Sequence, residues 1–311
     1  MTFLVTGGMG INGSHVARKL VEQGERPVLY DIGLQTEMIS DITERVKIVR
    51  GNILDYAELL RTIKREEIDY IIHAAWVNVD RNELDTPMLN LRVNVEGTLN
   101  VLEAGRIFDM EKIVFFSSCR IYDRIIRKPV DEDYPKTPKA VYSAAKVLCE
   151  AYGEGYADKY GINFIALRFP PLFGPGRLIC KPYPVGRFVD KIVVNAVNGE
   201  PILVSEGDEK LENLYLKDMA NAVFLACHSK KEVHRIFNIG SGEYLTLREI
   251  ATIIKRFIPG ATVEDSSGMH GPSAPFLNFK RAQRELGYKP NYSMEEAVKD
   301  YLKWLGYKQK D

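Results

Sequence analysis

Two kinds of apolar segment alternate through the first half of this chain. Short β-branched runs at 2–6, 27–31, 46–50, 70–74, 112–117 and 163–168 read as strands. Between them, 14–23, 55–66, 87–108 and 140–160 read as helices, the first with Val16, Leu20 and Val21 on one face. This alternation predicts an α/β fold, a doubly wound parallel (Rossmann) sheet with right-handed crossovers, whose ligands bind beyond the carboxyl ends of its strands. After Arg168 the texture changes, because 170–176 and 181–184 are dense in proline and glycine. Residues 214–228 read as a strand and helix and 235–240 as a strand, both expected to rejoin the main sheet. Two amphipathic helices at 246–257 and 294–305 flank a loop-rich stretch expected to fold over the substrate. The predicted division is 1–169 plus about 213–243 for the Rossmann domain, and about 170–212 plus 244–311 for a smaller, discontinuous C-terminal substrate lobe.

The carboxyl ends of those strands carry the candidate chemistry. The first strand runs into Gly7, Gly8, Gly10 and Gly13 and then a helix. Strand, glycine turn and helix suit a dinucleotide, because the glycines permit close backbone approach to a pyrophosphate and the helix start offers free N–H groups. Asp31 ends the second strand, eighteen residues after Gly13. An acid there binds the adenosine ribose hydroxyls and repels a 2′-phosphate. No arginine or lysine occurs between Asp31 and Glu44, so NAD is expected rather than NADP.

Tyr142 and Lys146 lie four apart in a predicted helix, on one face. Of sixteen tyrosines, Tyr142 alone has lysine at the fourth following position. A nearby cation favours the phenolate, and lowering a phenol's pKa by ~3 units corresponds to ~4 kcal/mol of differential stabilisation. Such a phenolate can take a proton from an alcohol. Ser117 and Ser118 end the fifth strand, where a hydroxyl could meet the same substrate oxygen.

Composition narrows the class further. Of the 311 residues, 45% are hydrophobic and 27% charged, as in ordinary soluble proteins, and Lys+Arg and Asp+Glu balance at 42 each, leaving no basic field for nucleic acid. No apolar run is long enough for a membrane span, and Thr2 already begins a strand, so no signal peptide is expected. Cysteines 119, 149, 180 and 227 are far apart and the five histidines are scattered, which predicts reduced thiols in a cytoplasmic protein and no metal site.

In order and spacing, several motifs together resemble the extended short-chain dehydrogenase/reductase family, the NAD-dependent epimerases and dehydratases that include UDP-glucose 4-epimerase-like enzymes. They are the segments 6–15, 51–55, 73–75, 94–98, 116–122, 142–146, 216–220 and 237–242, with Asp31. The resemblance implies NAD held by Gly7, Gly10, Ile11, Asn12, Gly13, Asp31, Asn52, Ile53, Ala74, Ala75, Tyr142 and Lys146. It implies Ser118, Tyr142 and Lys146 as the catalytic set, with Ser118 rather than Ser117 supplying the hydroxyl because Ile121 matches the valine of the family's Val-Tyr pair. Lys146 would also bind the nicotinamide ribose. Asn52 stands where the family usually has aspartate. Members often pair as homodimers through two helices, here 87–108 and 140–160.

The departures fall on the substrate side. Pro171 replaces a usual asparagine, Leu211 a diphosphate-binding arginine, and His270 a later arginine. Arg177, Lys181 and Arg187 are candidate replacements; Trp76, Asn78, Cys119 and Arg120 fall in loops expected to face the substrate. Cys119 and Arg120 occupy the places of the family dehydratases' aspartate and glutamate, which argues against 4,6-dehydration. Oxidation of a secondary alcohol on a sugar or sugar-nucleotide-like small molecule is therefore expected. The net reaction is open between epimerisation and dehydrogenation of a smaller sugar, sugar acid or hydroxy acid. A non-catalytic NAD sensor would tend to lose Tyr142 or Lys146, and both are present.

Overall fold

The computed structural model describes residues 1–33, 36–77, 87–123, 129–176, 188–205, 209–230, 234–266 and 275–308. Strand β1 (Thr2–Thr6) is buried at every position, as a strand covered on both faces must be. It pairs in parallel with β2 (Arg26–Asp31) on one side and β4 (Tyr70–His73) on the other. With β3 (Lys47–Arg50), β5 (Lys112–Ser118), β6 (Phe164–Phe169) and β10 (Ile236–Asn238), they form a seven-stranded parallel sheet ordered β10-β6-β5-β4-β1-β2-β3. Strand order reverses between β1 and β4, so a crevice opens there at the carboxyl ends. The α/β, doubly wound fold is that expected.

Helices cover both faces. Helix α1 (Ile11–Glu22) and α7 (Leu216–His228) pack together over one face around Phe3, Val5, Val114 and Leu167. On the other face, α2 (Tyr56–Glu66), α4 (Gly97–Phe108) and α5 (Val141–Tyr160) enclose Leu4, Ile71, Phe115 and Phe164. The segment predicted as one helix over 87–108 starts with α3 (Pro87–Asn90), passes through a π-helical stretch Leu91–Glu96 and continues as α4. π-Helical insertions concentrate near functional sites.

A third core lies in the C-terminal half, built from α6 (Phe188–Asn198), β8 (Ile202–Ser205), α8 (Leu247–Phe257) and α10 (Met294–Trp304). Helix α8 forms because Thr246 and Glu249 close a reciprocal capping box, and Ser293 with Glu296 does the same for α10. Three expectations change here. Strand β9 (Leu214–Tyr215) does not rejoin the main sheet; it pairs with β7 (Leu172–Phe173) in a separate two-stranded sheet. The stretch expected to be loop contains β11 (Val263–Ser266), paired with β8, and α9 (Lys280–Glu285). Ala282, Leu286 and Tyr288 pack into the core of the main sheet rather than into the C-terminal one, because this short helix lies against β10. Among the described residues, no helix is long and apolar enough to cross a membrane and no group of three His, Cys, Asp or Glu could hold a metal ion.

Among the described residues, the Arg168–Glu150 ion pair is fully enclosed. Arg168 at the end of β6 is 1% exposed and donates to both carboxylate oxygens of Glu150, from Nε at 2.9 Å and Nη2 at 2.7 Å. Arg168 Nη1 also donates to the Tyr122 hydroxyl at 2.5 Å and to the Glu132 carbonyl at 3.0 Å. Burial alone would push the Glu150 carboxyl up, but Arg168, Ser117 and Lys136 outweigh it and hold it below its ordinary value. That sign means the pair's stabilisation is present above the ordinary glutamate pKa and is lost as pH falls through the depressed one. Removing one partner leaves the other charged and unpaired in the core. Glu150→Ala is therefore expected to cost about 3–5 kcal/mol in urea unfolding, with Glu150→Leu/Arg168→Met recovering most of it.

Candidate active site

The crevice is built by backbone first. Gly7 sits at φ +67°, and a Cβ there would lie 2.7 Å from Ala75 Cα, so only glycine lets the first loop lie on the loop after β4. At Gly13 a Cβ would come within 2.3 Å of the Gly7 carbonyl oxygen. Helix α1 begins at Ile11 with extended Gly10 as its N-cap, no side-chain cap bond and no acid in its first turn. Its first N–H groups, those of Ile11, Asn12 and Gly13, are thus left for an anionic ligand. The Asn12 Oδ1 is buried and meets no partner among the described residues. Asp31 at the end of β2 accepts from Met9 N–H at 3.0 Å and Gly33 N–H at 3.2 Å, which fixes its carboxylate beside the glycine loop. Asn52 is exposed and its Oδ1 accepts from Leu54 N–H, leaving its amide N–H₂ outward. The Ile53 side chain is buried against Gly97, so what Ile53 offers a ligand is its main chain. This cradle fits a dinucleotide.

Across the switch point, α5 presents Tyr142 half-buried and Lys146 fully buried one turn later. The Lys146 Nζ donates to the Phe116 carbonyl at 2.5 Å and lies 5.8 Å from the centre of the Tyr142 ring. Burial drives its ammonium down to about 7, against opposing Cys149 and Glu150. The two candidate serines separate at the end of β5. Ser117 donates to Glu150 Oε1 at 2.6 Å and is committed to the core, whereas Ser118 Oγ accepts a 3.2 Å bond from Arg120 N–H and keeps its own proton to donate.

A polar chain that the sequence did not disclose positions the loop carrying Ala74, Ala75 and Trp76. Thr98 donates to the Asn94 carbonyl at 2.5 Å, so its oxygen accepts from His73 Nε2 at 3.0 Å, and His73 Nδ1 then accepts from Thr6 Oγ1 at 2.7 Å. The imidazole is therefore neutral, and burial, helped by Lys146, pushes its pKa down to about 3. Thr6 also accepts from Ala75 N–H, and the Asn94 side chain grips both N–H and C=O of Val77 at 2.8 and 2.7 Å. Glu150 was likewise missed; it continues the Tyr142, Lys146 spacing by one further turn, which was the available signal.

The substrate candidates fare unevenly. Trp76 faces Lys146 and meets the Tyr142 ring edge-on at 5.7 Å. Arg120 is exposed. Cys119 is a correction: a tight 3₁₀ turn swings it into a cluster with Ile121, Tyr122, Val130, Tyr134 and Leu277, where burial pushes the thiol up to about 12. It is a packing residue. Pro171 accepts from Leu214 N–H at 2.9 Å, at the start of the β7–β9 pairing. Asn78, Arg177, Lys181, Arg187 and His270 lie outside the described residues.

A Rossmann sheet with this cradle and a Tyr142–Lys146 pair at its carboxyl end defines a dinucleotide-dependent oxidoreductase. The model of the NAD dependent epimerase/dehydratase family matches residues 3–240. The chain belongs to that family, as an enzyme of the short-chain dehydrogenase/reductase type whose cofactor is NAD. It is 32% identical, over 97% of both chains, to a Methanocaldococcus jannaschii protein provisionally named UDP-glucose 4-epimerase. It is 29% identical to the UDP-glucose 4-epimerase of Halalkalibacterium halodurans, covering 98% of this chain and 95% of that one. Two solved structures at 25% identity each cover 98% of this chain and are covered to 99%. One is the Thermotoga maritima UDP-glucose 4-epimerase with UDP-glucose, at a TM-score of 0.86. The other is the Thermus thermophilus UDP-glucose 4-epimerase with NAD, at 0.84.

Because a methyl at Gly13 would strike the Gly7 carbonyl, Gly13→Ala is expected to weaken NAD binding by at least about tenfold, equivalent to ~1.4 kcal/mol, in calorimetric titration.

Proposed function

We propose that the protein is an NAD-dependent epimerase that inverts a secondary alcohol on the hexose of a nucleotide-diphosphate sugar of the UDP-glucose kind. What supports this reading is Lys146, buried on α5 with its Nζ 5.8 Å from the Tyr142 ring centre, and Ser118 ending β5, in a chain similar along nearly its whole length to UDP-glucose 4-epimerases. The glycine loop and Asp31 would hold the adenosine and pyrophosphate end, and Lys146 the nicotinamide ribose. Bound NAD supplies a hydride acceptor that can also give the hydride back. Tyr142, kept anionic by Lys146, takes the hydroxyl proton as the carbonyl forms and returns it when the opposite epimer is made. Ser118 donates a hydrogen bond to that oxygen while its charge changes.

Net dehydrogenation of a smaller sugar or sugar acid is the second reading, and two positions favour it. Leu211 is buried with its backbone N–H donated to the Leu245 carbonyl, and Pro171 has no N–H, so neither offers a donor to a diphosphate. The buried free thiols Cys119, Cys149 and Cys227 support a reducing, cytoplasmic location. A homodimer is supported by apolar side chains left exposed on two helical segments that pack together. These are Met88, Leu89 and Leu91 on one, and Leu148 and Tyr152, one turn apart, on α5.

Incubation with NAD and UDP-glucose should yield the C4 epimer with no net NADH. NADH accumulating with a free sugar or sugar acid would instead establish the dehydrogenase. Tyr142→Phe should lower turnover by roughly 10²–10⁴-fold while NAD still binds, since general acid–base catalysis is worth that much. Leu148→Lys/Tyr152→Glu should convert the dimer to a monomer in light scattering.

A further inference from the structure

Lys146 carries its charge in an unusual setting. It is 3% exposed, and among the described residues no carboxylate lies within ion-pair distance of its Nζ. The acid on its own helix, Glu150, is taken by Arg168 and Ser117. The other titratable groups facing it are neutral His73 from β4, the Cys149 thiol, which burial pushes up, and Tyr142. What surrounds the ammonium is aromatic. The Trp76 ring centre lies 3.2 Å from Nζ, that of Phe115 4.7 Å and that of Tyr142 5.8 Å.

The backbone on either side of Trp76 is clamped, Ala75 by Thr6 and Val77 by Asn94, so the loop has little freedom to withdraw the ring. The Trp76 indole N–H is buried and meets no acceptor among the described residues. The ring is therefore held by its face and its backbone rather than by a hydrogen bond of its own. A tryptophan face is the strongest aromatic partner for a cation, and more so where water is excluded.

We propose that Trp76 is a positioning residue for catalysis: its face stands in for the missing counter-ion and keeps the shared proton on Lys146, leaving Tyr142 as the base. This rests on the reading of Tyr142 as the proton acceptor. Tyr142 and Lys146 together hold one proton in the working state, which can sit on the amine, giving ammonium and phenolate, or on the phenol, giving amine and phenol. Only the first arrangement has a base at Tyr142. Because both contain the same number of protons, their ratio is independent of pH. Weakening the Trp76 face therefore lowers the pH-independent plateau of the oxidation rate. The acid limb does not rise, because the doubly protonated state loses the same contact.

The test changes the ring's electrons and not its shape. Tryptophan is replaced biosynthetically by its mono-, di- and trifluoro analogues, which drain charge from the face; the other tryptophan, Trp304, is exposed on α10. Single-turnover oxidation of UDP-glucose by the NAD-loaded protein should fall stepwise with each fluorine, to about tenfold or more below the native plateau, with substrate KM within about twofold. In cofactor-free protein, the near-ultraviolet phenolate absorbance that Tyr142→Phe abolishes should fall in parallel. Trp76→Leu should show the full loss and Trp76→Phe an intermediate one. A plateau and phenolate signal indifferent to fluorination overturn the role of Trp76, as does an effect confined to KM. If Tyr142→Phe itself keeps turnover, it is the proposed function that fails.

Discussion

The site depends on a positive charge placed where water cannot solvate it. Burying an ammonium is costly unless something nearby compensates, and the compensation at Lys146 comes from the Phe116 carbonyl and from aromatic faces rather than from an acid. The arrangement has a chemical use. In the proposed role of Tyr142, a carboxylate beside Lys146 would neutralise the field the phenol needs, whereas a carbonyl dipole and ring quadrupoles would stabilise the cation and leave its charge available to it. The neighbouring acid, Glu150, is correspondingly turned away and locked against Arg168.

Several other features serve this constraint. Neutral His73 and the threonines on either side of it join β1, β4 and α4 without adding a second cation beside Lys146. Ser117 and Ser118 have different partners, one satisfying Glu150 in the core and the other accepting from Arg120 N–H, because successive strand residues face opposite sides. The glycine loop, one strand away, brings backbone close to the β4 loop at Gly7 and Ala75 and thereby sets the depth of the crevice.

The sequence was legible where function demands a residue type at a fixed spacing. Gly7, Gly10 and Gly13, Asp31, and the Tyr142–Lys146 pair are of that kind, and the parallel sheet followed from period and alternation. It was less legible where a local turn decides direction. Cys119 and Arg120 are neighbours, yet one enters the core and the other faces solvent, and no periodicity extends across a 3₁₀ turn to say so. Strand β9 is two residues long, too short for its partner to be read, and β11 is mostly polar and lacks the usual strand signal. The Thr6–His73–Thr98–Asn94 chain spans more than ninety residues of sequence, and its hydrogen bonds exist only once three elements are assembled.

Helix α5 has two occupied faces. Tyr142, Lys146 and Glu150 line the inner one, while Leu148 and Tyr152 stand on the outer. Adding or deleting one residue within this stretch would turn everything beyond it by about 100°. Lys146 or Glu150 would swing outward as the apolar stripe swung in, so the Tyr142–Lys146 pairing, the core ion pair and the outer surface would be lost together. The middle of α5 should therefore tolerate substitutions far better than changes of length, and variation in length among such enzymes should be confined to the loops at either end of this helix.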